Sequence, residues 1–322
     1  MNKSSKNQSE EKDIEDIIQT MKDFLLKTYP QGTIKRNFHP KMHGCLKGTL
    51  VVHNDIPEML RQGLFQHPKS YDVWLRFSNA PPKKGSDKGS SGRGLAIKVL
   101  DVSAPVLEED PIGINCQNFL LTTSPILSAW NIPLYNKAIK AILMGWKQQL
   151  VFALNPRHWR SLYLTLKYSK KHDNLLAQSY FSGGAFSYGP ERFVKFLLKP
   201  HNPTLGYSLG GDKSDDFLRE QLKVDIQGAK QGFTLCVQVH TDEKTEPLEN
   251  TSIVWKKEAV PVADLLIPAQ EFDTDQRNAF GEALSFSPWV CMEAHKPVGA
   301  INRARRAVYR EMAELRKNGF SV

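Results

Sequence analysis

Seven short segments of this 322-residue chain have the composition of β-strands, and they constrain its fold more than any other feature. Each is rich in β-branched and aromatic residues and is bounded by segments rich in Gly, Pro, Asp or Ser. They are LKGTLVVH, YDVWLRFS, GLAIKVLDV, FVKFLLKP, GFTLCVQVH, TSIVWKK and VPVADLLIP. Because few helical patterns separate them, they predict an antiparallel sheet that must close on itself or be covered. We therefore expect an α+β fold: a central antiparallel β-barrel with helical insertions and C-terminal helices.

Helical patterns lie before, within and after these strands. Apolar residues recur at helical spacing between Ile14 and Leu25, which predicts an N-terminal helix over residues 13–28. By composition, residues 1–12 are expected to be disordered. We expect the barrel over about 44–268, a helical insertion within it over about 130–171, and C-terminal helices over about 273–318. No clear linker interrupts residues 13–322, so a single domain is predicted there.

Charge and cysteine content narrow the class of protein. The net charge of +9 comes from basic residues spread along the chain, which favours a solvated surface over a nucleic-acid site. The four cysteines form no CxxC pair and suit a reducing compartment: Cys45, Cys116, Cys236 and Cys291. The polar N-terminus lacks a signal-peptide core, and lysines interrupt AIKAILMGWKQQLVFAL, so we expect a cytoplasmic protein with no membrane span.

Three local motifs give only weak indications of a site. GSDKGSSGRG lacks the endings of a P-loop or a dinucleotide fingerprint, so a flexible connection between strands is the simpler interpretation. HPKMH places His39 and His43 four residues apart, but Pro40 disfavours the helix that a shared zinc ion would need. GYSLGG has the residue types of a hydrolase nucleophile elbow with the wrong spacing.

The last helical segment, INRARRAVYREMAELRK, is more informative. Helical spacing places Arg305, Tyr309 and Arg316 on one stripe at the border of the apolar face. A half-buried arginine needs an anion, and Arg305 one turn before Tyr309 would favour a phenolate. A phenolate is a known axial ligand of ferric haem. The alternative is a boundary helix whose arginines reach solvent along an apolar surface.

Several motifs taken together resemble the haem catalase superfamily, in particular its short, catalase-related bacterial members. The resemblance runs in order from about residue 33 to 317. The family's distal segment is matched by Arg36, His39 and Gly44. Its Arg-Phe-Ser strand is matched by Arg76–Ser78, and its Arg-Gly-x-Ala strand by Arg93–Val99. Its proximal helix is matched by Arg305, Tyr309 and Arg316. The resemblance implies a catalase-like barrel that binds haem b.

The resemblance also implies roles for single residues. His39 would be the distal acid–base, held in orientation by Ser78, and Tyr309 would be the iron ligand, supported by Arg305. Arg36, Arg76 and Arg316 match the arginines that hold the haem propionates in the family. Phe38 and Phe77 would help to form the wall of the pocket. The simplest interpretation of His43 is a polar residue near the barrel mouth.

The chain departs from the family pattern at one catalytic position. Alignment on Pro125 puts Thr122 where the family has its distal asparagine, and Asn115 and Asn118 are out of register. We therefore expect a peroxidase acting on H2O2 or organic hydroperoxides, with a small reductant, rather than a full catalase. The alternatives are a hydroperoxide isomerase resembling allene oxide synthases and a non-catalytic haem-binding protein.

The length of the chain bears on its assembly. It is much shorter than the large catalases, and from the resemblance we expect no counterpart of their C-terminal helical domain or of most of their interlocking N-terminal arm. A monomer or homodimer is expected, without bound NADPH, without a nucleic-acid partner and without a membrane span.

Overall fold

A computed structural model describes residues 3–30, 34–111, 113 and 115–318. Strands β1 to β10 in this part of the chain are Met42–Val52, Ser70–Asn79, Arg93–Val99, Gln117–Thr122, Tyr180–Phe181, Ala185–Ser187, Phe193–Pro200, Gln231–Val239, Val260–Ile267 and Pro297–Val298. Helices α1 to α7 in the same part are Lys3–Thr28, Ile132–Leu143, Trp146–Leu154, Trp159–Tyr168, Phe217–Gly228, Asp275–Ala283 and Ala300–Asn318. Short 3₁₀ turns lie at Glu58–Leu60, Gly63–Phe65, Pro156–His158 and Glu293–His295.

The strands form a closed antiparallel barrel. Each of β1, β2, β3, β4, β5, β7, β8 and β9 pairs with the next, and β9 pairs with β1, which closes a ring of eight strands within the described residues. The short strands β6 and β10 extend the sheet beside β7. Closure removes the exposed edges that an open antiparallel sheet would present. The predicted α+β fold with a central antiparallel barrel is confirmed.

The barrel interior is filled by apolar side chains from alternate strand positions. Leu75, Phe77, Ile97, Phe119 and Phe233 are all buried there. Since side chains alternate between the two faces of a strand, the residues between these point to the outside of the barrel. Full burial of each such side chain contributes about 1.5–3 kcal/mol.

A second apolar layer covers part of the outside of the barrel. Helices α1, α2 and α7 pack against each other through Ile17, Leu25, Ile139, Ala304 and Val308, all of which are buried. This helical layer lies over the outer face near β2, β3 and β4, because residues from the strands and from the helices line the same cavity.

The structure changes the expected start of the N-terminal helix. Helix α1 begins at Lys3 rather than near residue 13, so the segment expected to be disordered is helical from residue 3, while residues 1 and 2 lie outside the described residues. Glu10 pairs with Arg303 at 3.6 Å, and Asp13 accepts a 2.8 Å hydrogen bond from Asn136, so this part of the helix contacts α7 and α2.

TSIVWKK, expected to be a strand, is irregular. The carbonyls of Ile253 and Trp255 accept hydrogen bonds from the side chains of Lys195 and Gln238, where a strand would bond to neighbouring backbone. The single domain predicted over residues 13–322 includes residues 319–322, which lie outside the described residues, and it stays a prediction. None of the helices described is long and apolar enough to cross a membrane.

Candidate functional site

The outer face of β2, β3 and β4 forms one wall of a cavity of about 480 Å³. Two rows of residues run across these strands in register: Ser78, Gly94 and Thr122 in one row, and Arg76, Ala96 and Leu120 in the next. All six line the cavity, whose other walls come from α2, α4 and α7. The volume is within the roughly 300–1,000 Å³ typical of cofactor and small-molecule sites.

His39 enters this cavity from the segment before β1. Its backbone has φ 60°, a left-handed conformation that is uncommon for residues other than glycine. The imidazole Nδ1 and the Ser78 hydroxyl are hydrogen bonded at 2.9 Å. A Cβ on Gly94 would lie 2.5 Å from the imidazole ring, so only glycine leaves room for His39 at this point of β3.

The surroundings of His39 keep its imidazole neutral. Burial, and then the positive charges of Arg76, Arg36 and Arg305, lower the pKa of His39 to about 3. A neutral imidazole can accept a proton at physiological pH, which a protonated one cannot. The ring contacts Ser78 through Nδ1, so Nε2 is the nitrogen left for exchange with a ligand.

Three arginines lie together at one part of the cavity wall, with one carboxylate between them. Glu282 of α6 accepts 3.2 Å hydrogen bonds from Arg36 and from Arg76, which also donates to the His39 carbonyl at 3.0 Å. Arg36 also donates to the Leu284 carbonyl, and Arg316 of α7 to Ser285 at 3.3 Å. Three guanidinium groups against one carboxylate leave two positive charges unmatched in this cluster.

Burial and repulsion between the arginines lower the pKa values of two members of this cluster. Burial lowers the pKa of Arg316 to about 10, and repulsion from Arg76 adds to this effect. Burial, followed by repulsion from Arg76 and Arg316, also lowers the pKa of Arg36. The buried Nε of Arg76 has no hydrogen-bond partner among the described residues. A buried cluster of this kind would be stabilised by a bound anion.

Tyr309 of α7 lines the same cavity and is supported by Arg305. The Arg305 guanidinium lies 5.2 Å from the centre of the Tyr309 ring and donates to its hydroxyl at 3.4 Å. Asn302 accepts a 3.0 Å hydrogen bond from Arg305 and itself donates to the Ala185 carbonyl, so it fixes the arginine relative to β6. The predicted stripe of α7 therefore faces the cavity.

Phe38 and Thr122 line the cavity, but Phe77 does not. The sequence predicted Phe77 as part of the pocket wall, and the structure corrects this. Its side chain is fully buried in the barrel interior, with ring centres 6.1 Å from Tyr180 and 6.5 Å from Phe233. Alternation along β2 explains the correction, since Arg76 and Ser78 on either side of Phe77 face the cavity.

Neither Asn118 nor His43 reaches the cavity. Asn118 lies four residues before Thr122 on β4 and is buried, and the nitrogen and oxygen of its side-chain amide have no hydrogen-bond partner within the described chain. His43 is fully buried, and its Nε2 bonds to the Asn79 side chain at 2.7 Å. Asn79 in turn donates to the buried Asp87, in the loop expected to be a flexible connection.

Sequence reasoning missed three residues of this site. Glu282 has no local motif and pairs with arginines more than 200 positions away. Asn302 precedes Arg305 by one helical turn, a spacing that could have indicated their contact. Tyr135 of α2 lines the cavity, and burial, followed by the nearby Tyr309, raises its pKa to about 12.

The site fits the haem b that the sequence resemblance implies. The excess positive charge of the arginine cluster suits the two negatively charged propionate groups of haem b. A phenol supported by an arginine is a suitable donor for ferric iron, and a neutral histidine lines the same cavity as Tyr309. Arg36, Arg76 and Arg316 could hold the carboxylates, and Tyr309 could hold the iron.

Comparison with solved structures identifies the fold as that of the catalases. The chain is similar to a fungal catalase and to catalase A from Saccharomyces cerevisiae, each with TM-score 0.72 and 16% identity, and to a bacterial catalase with TM-score 0.66 and 17% identity. These similarities cover 91%, 91% and 92% of this chain, but only 61%, 63% and 59% of those catalases. The predicted catalase-like barrel is thereby confirmed.

Similarity at the level of sequence is much weaker. No family model matches the chain, and the search of curated proteins gives no match. At 16–17% identity the structural likeness establishes the fold, and the cofactor and the reaction follow as proposals.

Proposed function

We propose that this protein is a haem b-dependent peroxidase related to catalases, which reduces H2O2 or organic hydroperoxides. The observation that carries the proposal is the cavity containing Tyr309, His39 and an arginine cluster with two unmatched charges. Tyr309 would ligate the iron, Arg36, Arg76 and Arg316 would bind the propionates, and Phe38 would contact the ring. The catalase fold supports this assignment.

Haem, when bound, supplies an iron centre that takes electrons from one substrate and passes them to the peroxide. His39 moves the proton. As a neutral base it accepts a proton from one peroxide oxygen and returns it to the other, so that the O–O bond breaks with water or an alcohol as the leaving product. A small reducing co-substrate supplies two electrons and two protons, with which the second peroxide oxygen leaves as water, so that ROOH gives ROH and H2O.

Neighbouring side chains would position these two groups. Ser78 holds the His39 ring through Nδ1, leaving Nε2 to exchange the proton. Arg305 donates a hydrogen bond to the Tyr309 oxygen and would support it as an iron ligand, and Asn302 holds Arg305 in place.

Peroxidase activity is favoured over catalase activity because of Thr122. Its hydroxyl donates to the Ser124 carbonyl at 3.3 Å, and its side chain is shorter than the family's asparagine. Without that amide, peroxide loses a hydrogen bond that would orient it in both halves of a catalase cycle. Such a hydrogen bond is worth about 1 kcal/mol. The expected monomer or homodimer and the expected cytoplasmic location remain predictions.

The proposal is tested by stopped-flow reaction of the haem-loaded protein with H2O2, together with an oxygen electrode. His39→Ala should retain haem and slow the reaction by about 10²–10⁴-fold, the usual effect of losing a general acid–base. The control is His67→Ala, because His67 is exposed and does not line the cavity. Equal rates for His39→Ala and wild type would contradict the assignment of His39.

A hydroperoxide isomerase is the second candidate, and the apolar walls of the cavity favour it. Ile139, Ile142 and Leu164 line the cavity beside the polar groups, which suits a long-chain substrate. An isomerase would convert a fatty-acid hydroperoxide without any reductant, so product analysis with and without a donor separates the two. The third candidate is a non-catalytic haem-binding protein. Haem binding without any consumption of peroxide would favour it.

A further inference from the structure

The helical insertion carries an uninterrupted excess of positive charge. Between Asp110 and Asp173 the sequence contains no Asp or Glu, while its basic residues are Lys137, Lys140, Lys147, Arg157, Arg160, Lys167, Lys170 and Lys171. Within the described residues, Lys140 is the one of these that pairs with a carboxylate, that of Asp16 at 2.9 Å. The other seven basic residues leave this part of the surface strongly positive.

Helix α3 exposes an apolar stripe on this basic surface. Trp146, Leu150 and Leu154 recur every four residues and so share one face of the helix. Trp146 and Leu154 are each 69% exposed, and Leu150 is also exposed. The side chain that anchors the helix, Phe152, is buried on the opposite face and stacks on His158 with ring centres 4.3 Å apart. An ordinary surface helix has the reverse arrangement.

Helix α4 repeats this arrangement. Trp159, Tyr163 and Leu166 share an outward face, and Leu166 is 75% exposed, whereas Ser161 on the other side is buried. The indole NH of Trp159 donates to the Ala153 carbonyl at 2.9 Å, which joins the start of α4 to α3. Both helices pack on one small apolar cluster, α3 through Phe152 and α4 through Leu162. We call the six outward residues of the two stripes the α3–α4 face.

The α3–α4 face adjoins the rim of the cavity. Ile142, which precedes α3, is 47% exposed and also lines the cavity. Leu164 and Tyr168 line it from the inner side of α4, whose outer side belongs to the face. A surface bound to the α3–α4 face would therefore lie beside the cavity entrance.

Charge distinguishes between the possible occupants of this face. A second copy of the chain would bring two basic surfaces together, which is electrostatically unfavourable. An anionic bilayer has the complementary charge and attracts basic residues near its surface. Exposed Trp, Tyr and Leu flanked by Lys and Arg are the side chains that bind at the bilayer interface. The 9 and 10 residues of α3 and α4 are too few to span it.

We propose that the α3–α4 face docks onto an anionic phospholipid bilayer, with both helices lying in the interfacial plane. Trp146, Leu154 and Leu166 would enter the acyl boundary, and Lys147 and Lys167 would contact the headgroups. The cavity entrance would then lie at the membrane. Resting on the proposed function, this placement selects long-chain lipid hydroperoxides as the substrates.

The test is sedimentation of the purified protein with vesicles of phosphatidylcholine alone or with phosphatidylglycerol added. Wild type should bind the anionic vesicles, and higher salt should weaken this binding. The triple variant Trp146→Ser, Leu154→Ser, Leu166→Ser should bind at least tenfold more weakly. The matched control replaces three exposed apolar residues elsewhere on the surface with serine: Met59, Val224 and Val254.

Three outcomes would overturn the proposal. These are no binding to anionic vesicles at low salt, equal loss in the control variant, or a dimer in analytical ultracentrifugation that the α3–α4 variant abolishes. Vesicle binding needs neither haem nor peroxide, so it can fail while the peroxidase proposal stands. If vesicles bind and haem does not, the docking surface stands without the proposed substrates.

Discussion

The two sides of strand β2 differ in almost every physical respect. Inside the barrel, Phe77 is buried in the apolar core, where its ring lies beside those of Tyr180 and Phe233. Outside, Arg76 and Ser78 face a cavity with unmatched positive charge and a neutral histidine. The comparison shows that one strand can fill the core with one set of positions and line a cavity with the other. Substitutions on the two faces should therefore have separable effects.

The largest expected effect is on the interior face. Phe77→Ala should lower the free energy of unfolding by about 3–5 kcal/mol, because it leaves a cavity in the barrel core. Ser78→Ala, one residue later, should lower it by no more than about 1 kcal/mol, yet slow the reaction with peroxide by releasing the His39 ring. Chemical denaturation and stopped-flow kinetics measure the two effects. If both substitutions changed stability equally, the two faces would not be separable.

On the cavity face, the charge cluster can be tested by haem affinity. If Arg76 binds a haem propionate as proposed, Arg76→Gln removes a charge-assisted hydrogen bond worth about 1.5–3 kcal/mol and should weaken haem binding about 10–100-fold. The control is Arg310→Gln, an exposed arginine on the same helix as Tyr309. Haem titration of the two variants compares them directly. Unchanged affinity in Arg76→Gln would remove the cluster from the binding site.

Acid should destabilise the protein through a histidine of the interior. His295 is fully buried among aromatic rings, and burial lowers its pKa to about 3. Between pH 6.5 and about pH 3, His295 is protonated in the unfolded chain but neutral in the folded protein. The free energy of unfolding therefore falls as the pH falls.

From pH 6.5 to 4.5, His295 alone should lower the free energy of unfolding by about 2 kcal/mol. Denaturation across this range should show a shallower pH dependence in His295→Gln than in wild type, whereas exposed His67→Gln should match wild type. An unchanged slope in His295→Gln would show that this imidazole titrates normally.

The smallest expected effect concerns the reaction type. Thr122→Asn should restore an amide near the reacting peroxide and raise oxygen release from H2O2 up to about tenfold, the equivalent of one hydrogen bond. An oxygen electrode measures this, with Thr204→Asn at an exposed position as the control. If oxygen release stayed the same, Thr122 would not be what limits catalase activity.

Features with a local period could be predicted from the sequence. Strand composition indicated the barrel, and helical spacing placed Arg305 and Tyr309 on one stripe, which the structure shows facing the cavity. Motif order indicated the catalase-like fold. The face occupied by Phe77 could also have been predicted, because residues that flank one position of a strand point to the other side.

Features that depend on distant packing could not be predicted. Glu282 meets Arg36 across 246 positions, and no local pattern marks it as their partner. The need for glycine at position 94 arises only when the His39 ring packs against β3. The outward apolar stripes of α3 and α4 have an ordinary amphipathic pattern, and only the structure shows that these stripes face solvent.

The central claim is that Tyr309 ligates haem iron in this cavity, and a haem titration of two tyrosine variants tests it most directly. Tyr309→Phe and Tyr135→Phe each remove one phenol from the same cavity wall. We predict that wild type and Tyr135→Phe bind one haem per chain with the spectrum of a tyrosinate-ligated ferric haem. Tyr309→Phe should lose that spectrum. A tyrosinate spectrum in Tyr309→Phe, or no haem binding by the wild type, would contradict the account.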